Sequence, residues 1–117
     1  MKDCFIYIEW YVTNIERAVN FYKGMFNWKF EKSTDDYMMF EMSNGESGGI
    51  MEVDKVKPGN SPVFYIHADR IENYLEKAPG LGGSVSVGKT ELSGIGFYAF
   101  LADPDGNKIG LYEDLKQ

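Results

Sequence analysis

Few groups in this chain could carry chemistry. His67 is the only histidine and Cys4 the only cysteine, so one imidazole is the sole side chain whose ordinary titration falls near neutral pH. Cys4 stands ahead of the first extended segment with no base arranged beside it, which argues against a nucleophilic role. A single thiol also builds no intrachain disulfide and no cysteine-based zinc or iron–sulfur site. Two acids stand out by position, Glu9 and Glu52, each inside a strand-like stretch. Side chains two positions apart on a strand share a face at a spacing of about 7 Å, so Glu9, Glu52 and His67 could converge with Tyr11 or Tyr112 as a metal site. The same acids also read as polar anchors for a bound molecule, or as solvated or hydrogen-bonded strand acids. His67 reads either as a hydrogen-bonded core or rim residue or as a general base with Tyr11 or Glu52 nearby. Other signals dissolve. Gly94, Gly96 and Ala99 have GxGxxA spacing, but β-type residues follow them where a dinucleotide loop needs a helix. Asp103-Pro104-Asp105-Gly106 reads as a type I turn.

These residues sit on elements laid down twice. Residues 7–22 (YIEWYVTNIERAVNFY) and 63–78 (VFYIHADRIENYLEKA) share one pattern at an offset of 56. Ile8, Trp10 and Val12 alternate with Tyr7, Glu9 and Tyr11, and Phe64, Ile66 and Ala68 with Val63, Tyr65 and His67, the period of a strand. Thr13 and Asp69 then read as helix N-caps, with Glu16 and Glu72 three residues on as in a capping box. Apolar spacing turns helical at Ile15, Ala18, Val19 and Tyr22 and at Ile71, Tyr74, Leu75 and Ala78. Gly24 and Gly80 read as helix ends. Three extended segments follow each helix, at about 28–33, 37–42 and 48–53, then at about 84–92, 96–102 and 108–113. The pattern predicts an α+β fold of two tandem βαβββ modules, module one over 4–54 and module two over 62–114, joined by a linker at 54–61.

Composition narrows the partners. A net charge of −6 with only two arginines, Arg17 and Arg70, leaves no basic patch for nucleic acid or an anionic membrane surface. No apolar run approaches the ~18 residues of a membrane helix, and the N-terminal stretch lacks a secretory pattern, so a cytoplasmic location is expected. Aromatic residues make up 15% of the chain. On the first strand of each module the face opposite the apolar one mixes acids or histidine with tyrosines, which favours a lined cavity.

The runs NIERAVNFYKGMFNWKF at 14–30, GGIMEV at 48–53, the Gly82-Gly83 pair and FYAFLADPDGNKIGLYE at 97–113 resemble the vicinal oxygen chelate superfamily of glyoxalase I, bleomycin-resistance proteins and extradiol dioxygenases. The likeness covers about residues 5–114, with a subgroup of lactoylglutathione-lyase-related proteins nearest. It implies paired modules curling into a cupped mixed sheet around a small-molecule site, and often a homodimer. It also implies a divalent metal held by His, Gln, Glu or Asp from the first and last strand of each module. Carried over, those positions are Tyr7, Glu52, Val63 and Gly110, of which only Glu52 is a usual ligand. No cofactor is therefore expected, and the expected function is small-molecule binding by Tyr7, Glu9, Tyr11, Trp28, Glu52, Tyr65, His67, Phe97 and Tyr112. A flat or cationic ligand suits rings beside carboxylates. The alternative is a lyase or isomerase of glyoxalase type, dependent on a metal at Glu9, Glu52 and His67 or on His67 with Glu52.

Overall fold

Alternating strand residues and helical apolar spacing produce the same series of elements in each half of the chain. The computed structural model describes residues 7–59 and 63–115, so Cys4 and the end of the expected linker lie outside the described residues. The chain divides into two compact units, Met1–Val56 and Lys57–Gln117. The first contains β1 (Ile8–Val12), α1 (Ile15–Phe26), β2 (Lys29–Thr34), β3 (Tyr37–Glu41) and β4 (Ser47–Glu52). The second contains β5 (Tyr65–His67), α2 (Ile71–Lys77), a 3-10 turn at Pro79–Leu81, β6 (Ser84–Leu92), β7 (Gly96–Ala102) and β8 (Lys108–Asp114). Each unit is thus a βαβββ module, and the α+β expectation holds. The strands form two four-stranded mixed sheets, ordered β1-β4-β3-β2 and β5-β8-β7-β6. In both, the opening strand runs parallel to the closing strand at one edge, a pairing that requires the intervening helix as a crossover.

Register assigns every strand residue to one of two faces. In the first sheet Trp10 pairs with Ile50 and Val12 with Glu52, while Phe40 pairs with Gly48 on the same side. This side carries the core: Val12, Phe21, Tyr22, Trp28, Phe40 and Ile50 are all buried. A Cβ on Gly48 would run into the Ile8 carbonyl and the Phe40 ring, so glycine there lets the aromatic core close on the strand. In the second sheet the buried side holds Ile71, Ala99, Leu101, Ile109 and Leu111.

The helix termini differ from the sequence reading. Asn14, not Thr13, caps α1, its Oδ1 accepting from the Arg17 N–H at 2.9 Å; Thr13 instead accepts from Arg17 Nη2 at 2.7 Å. At α2 the N-cap is Arg70, not Asp69, and it makes no side-chain cap bond. Gly24 lies inside α1, which runs on to a left-handed Asn27 at φ 58°, a conformation asparagine tolerates better than most residues. Gly80 lies inside the 3-10 turn, and Gly82 at φ 91° ends it. The Asp103 turn forms as expected: its carboxylate accepts from the Asp105 and Asn107 N–H groups at 2.9 and 2.8 Å.

Candidate functional site

The two acids read as a pair do not share a face. Glu52 pairs with buried Val12, on the helix side, and its Oε1 accepts from the Ile15 N–H at 2.8 Å, closing the start of α1. A carboxylate there satisfies a backbone donor the helix leaves open and complements its dipole. Glu113 has the matching place in the second module: its Oε1 accepts from the Ile71 N–H at 2.8 Å at the start of α2. The closing-strand acids are helix caps, which corrects the reading of Glu52 as a ligand-facing or catalytic group.

Glu9 faces the other way. It pairs with Gly49, whose other neighbour in the sheet is Met39, and Tyr37 lies over that glycine so closely that a Cβ on Gly49 would fall within its ring. Tyr37 Oη donates to Glu9 Oε1 at 2.8 Å and shares a 2.7 Å hydrogen bond with Tyr7 Oη. Burial first, then its bonds to Tyr7 and Glu9, push the Tyr37 phenol far above its ordinary range, so it stays a donor. Tyr11, half exposed at 50%, lies on the same face two residues beyond Glu9. Module one thus presents a carboxylate set among three phenols.

The open face of module two is more concave. Tyr65 and His67 on β5 pair with Gly110 and Tyr112 on β8, which pair in turn with Phe100 and Tyr98 on β7. These five side chains and Leu92 line a concavity of about 650 Å³. A Cβ on Gly110 would come within 2.6 Å of Tyr65 Cδ2, so the ring occupies the room that a larger residue would need. His67 Nε2 lies 2.7 Å from Asp114 Oδ2, with both side chains well exposed, and its ring is 6.0 Å from that of Tyr112. Tyr112 Oη donates to the Ile95 carbonyl at 3.1 Å.

Two expected wall residues belong elsewhere. Trp28 is 6% exposed and stacks on Phe40 at 4.5 Å and on Tyr22 at 5.6 Å, which makes it core. Phe97 pairs with Glu113 on the helix side, where Lys89 Nζ lies 4.4 Å from its ring centroid. Lys89 also bonds Glu72 at 2.9 Å, which raises the lysine pKa and lowers that of Glu72. Missed from sequence were Tyr37, Leu92, Tyr98, Phe100 and Asp114; the alternation of Tyr98 and Phe100, registered against Tyr112 across a hairpin, was the available signal.

The metal fit can be tested on donors. Val63 and Gly110 offer no donor, Tyr65 fills the space over Gly110, and Glu52 is turned to the helix. Because Glu113 is the counterpart of Glu52, Gly49 is that of Gly110: each lies three residues before its capping glutamate and pairs with the opening strand, at Glu9 and Tyr65. The first module's closing strand therefore also carries glycine on the open face. Glu9 and Glu52 do not converge, and within either unit, among the described residues, no three His, Cys, Asp or Glu side chains are grouped to hold a metal ion. The residues present do not fit the implied centre.

Comparison with known proteins follows the fold. Residues 5–111 match the family described as "Glyoxalase/Bleomycin resistance protein/Dioxygenase superfamily". The genomically encoded fosfomycin resistance protein FosX from Listeria monocytogenes, solved with Mn(II) and sulfate ion, superposes with a TM-score of 0.83 at 19% identity, covering 98% of this chain and 93% of that one. A glyoxalase-related enzyme from Fulvimarina pelagi gives 0.79 at 18% identity, covering 96% and 88%. FosX from Mesorhizobium loti gives 0.79 at 16%, covering 98% and 95%. No curated protein matches the chain.

Proposed function

The chain belongs to the glyoxalase/bleomycin resistance protein/dioxygenase superfamily, and from that premise we propose that it binds a small molecule on its aromatic open sheet faces without the superfamily's metal. The observation that carries this is the concavity of module two. Its volume of about 650 Å³ lies within the ~300–1,000 Å³ of small-molecule sites, and an aromatic wall with few polar groups is what such sites use for affinity and orientation. Considered by itself, the Glu9, Tyr7, Tyr37 and Tyr11 face of module one sets a carboxylate among rings, a chemistry that suits an aromatic or cationic ligand. We propose that it acts as a homodimer, to be checked by its elution volume on a sizing column, and in the cytoplasm, to be checked by cell fractionation. The test of binding is a thermal-shift screen of flat aromatic and organic-cation compounds, paired with elemental analysis of protein purified without chelators. The reading predicts stabilisation by members of the aromatic set in metal-free protein. A screen with no shift, or stabilisation only after a transition metal is restored, contradicts it.

A second reading is a lyase or isomerase of glyoxalase type that works through His67. The carboxylate of Asp114 beside the imidazole favours it, because a base needs a second group to hold its ring and tautomer. Turnover of a glyoxalase-type substrate that is lost in His67→Gln would establish it, and binding without turnover would leave the protein a binder.

A further inference from the structure

We infer that Asp114 fixes His67 as the Nε2–H tautomer, so that Nδ1 is a hydrogen-bond acceptor selecting aromatic ligands that carry a hydroxyl or N–H donor. The inference rests on the reading of the module two concavity as a binding site and specifies what that site accepts. Asp114 lies two residues beyond Tyr112 on β8 and therefore on the same face, diagonal to His67 across the parallel pair. At 2.7 Å an ionised carboxylate, which only accepts, holds the ring by accepting a hydrogen bond from Nε2–H. A neutral imidazole with one nitrogen committed as donor has the other as acceptor. Among the described residues His67 makes one hydrogen bond, that to Asp114, and one ring contact, that with Tyr112; Nδ1 has no protein partner. The wall also carries three phenol hydroxyls: that of Tyr112 donates a hydrogen bond to the Ile95 carbonyl, and those of Tyr65 and Tyr98 rotate to donate or accept. Four aromatic rings and Leu92 supply area, and His67 supplies an acceptor whose direction Asp114 fixes, where a phenol oxygen turns freely. A flat molecule bearing a phenol or aromatic N–H matches both features, whereas its O- or N-methylated analogue matches only the first.

The single histidine makes the test direct. Nitrogen-15 spectra of histidine-labelled protein, taken where the imidazole is neutral, should report the Nε2–H tautomer, and Asp114→Ala should release it to a mixture. Binding is then measured with naphthol and its methyl ether. The wild-type protein should prefer naphthol by roughly tenfold, the scale of one net hydrogen bond, and His67→Phe, which keeps a ring in the wall, should bring the two to parity. An Nδ1–H tautomer in the wild type overturns the inference. Equal binding of the two compounds to the wild type also overturns it while leaving the concavity a binding site. Binding of neither compound overturns the inference and the reading beneath it together.

Discussion

Both modules follow one plan and both set tyrosines on the open face, yet only module one also fills its helix side with aromatic rings. In module one the rings crowd the helix side, where Trp28 stacks on Tyr22 and Phe40 and Trp10 meets all three at an angle, with ring centroids 4.5–6.3 Å apart. In module two the helix side is mainly aliphatic, with Ile71, Leu101, Ile109 and Leu111 fully buried, and Tyr65, Tyr98, Phe100 and Tyr112 line the open side. An aromatic excess in composition therefore divides into a structural share and a share available to a ligand. Register decides which is which, because a ring moved by one position on a strand changes face. The closing strands keep what both modules need: a glutamate capping the helix and, three residues before it, a glycine covered by a tyrosine ring.

This contrast can be broken most forcefully at Trp28. Trp28→Ala should cost about 3–5 kcal/mol in chemical denaturation, as expected for a large ring removed from a packed core, whereas Tyr65→Ala, 52% exposed on the open side, should cost under ~1 kcal/mol. Equal losses would show that the two shares are not distinct. The shared caps sharpen the comparison next. Glu113→Ala should destabilise by about 2–3 kcal/mol, since it strips a buried carboxylate from both the Ile71 N–H and Lys89 at a helix with no side-chain cap of its own. Glu52→Ala should cost only ~1 kcal/mol, because Asn14 still caps α1.

The smallest effect concerns Tyr37. Its pKa is raised in the folded protein, so the stability it contributes is complete below the ordinary phenol value of about 10 and is lost as pH rises through the higher folded value. Tyr37→Phe removes the donor to Glu9 and should lower stability by about 0.5 kcal/mol at neutral pH. In the folded protein an ultraviolet titration of the tyrosines up to about pH 11 should have the same amplitude with or without Tyr37. A smaller amplitude in the variant would mean that Tyr37 ionises with the others.

The modules, their order and nearly all strand bounds were legible in the sequence, because alternation and helical spacing are local signals. The capping residues were not. Glu52 and Glu113 reach the helix starts from strands distant in sequence, so Glu52 reads locally as a site residue, whereas at α1 the local cap lies one residue beyond Thr13, at Asn14, whose side chain is an equally good acceptor. Trp28 and Phe97 were assigned to the open side for a related reason: an aromatic type does not state its face, and hairpin register does. Tyr65, His67 and Tyr112 were legible as lining residues from alternation on the first and last strands of module two. Asp114 was not, since its partnership with His67 depends on the parallel pairing of β5 with β8.

The central claim, a small-molecule site on the open side of module two that needs no metal, is tested most directly by nuclear magnetic resonance mapping of naphthol binding to chelator-treated protein. Saturable shifts should concentrate at Tyr65, His67, Tyr98, Phe100 and Tyr112, unchanged when a divalent metal is added back. Shifts absent after chelation and restored by a diamagnetic divalent metal such as Zn(II), or centred on residues of the helix side, would contradict the claim.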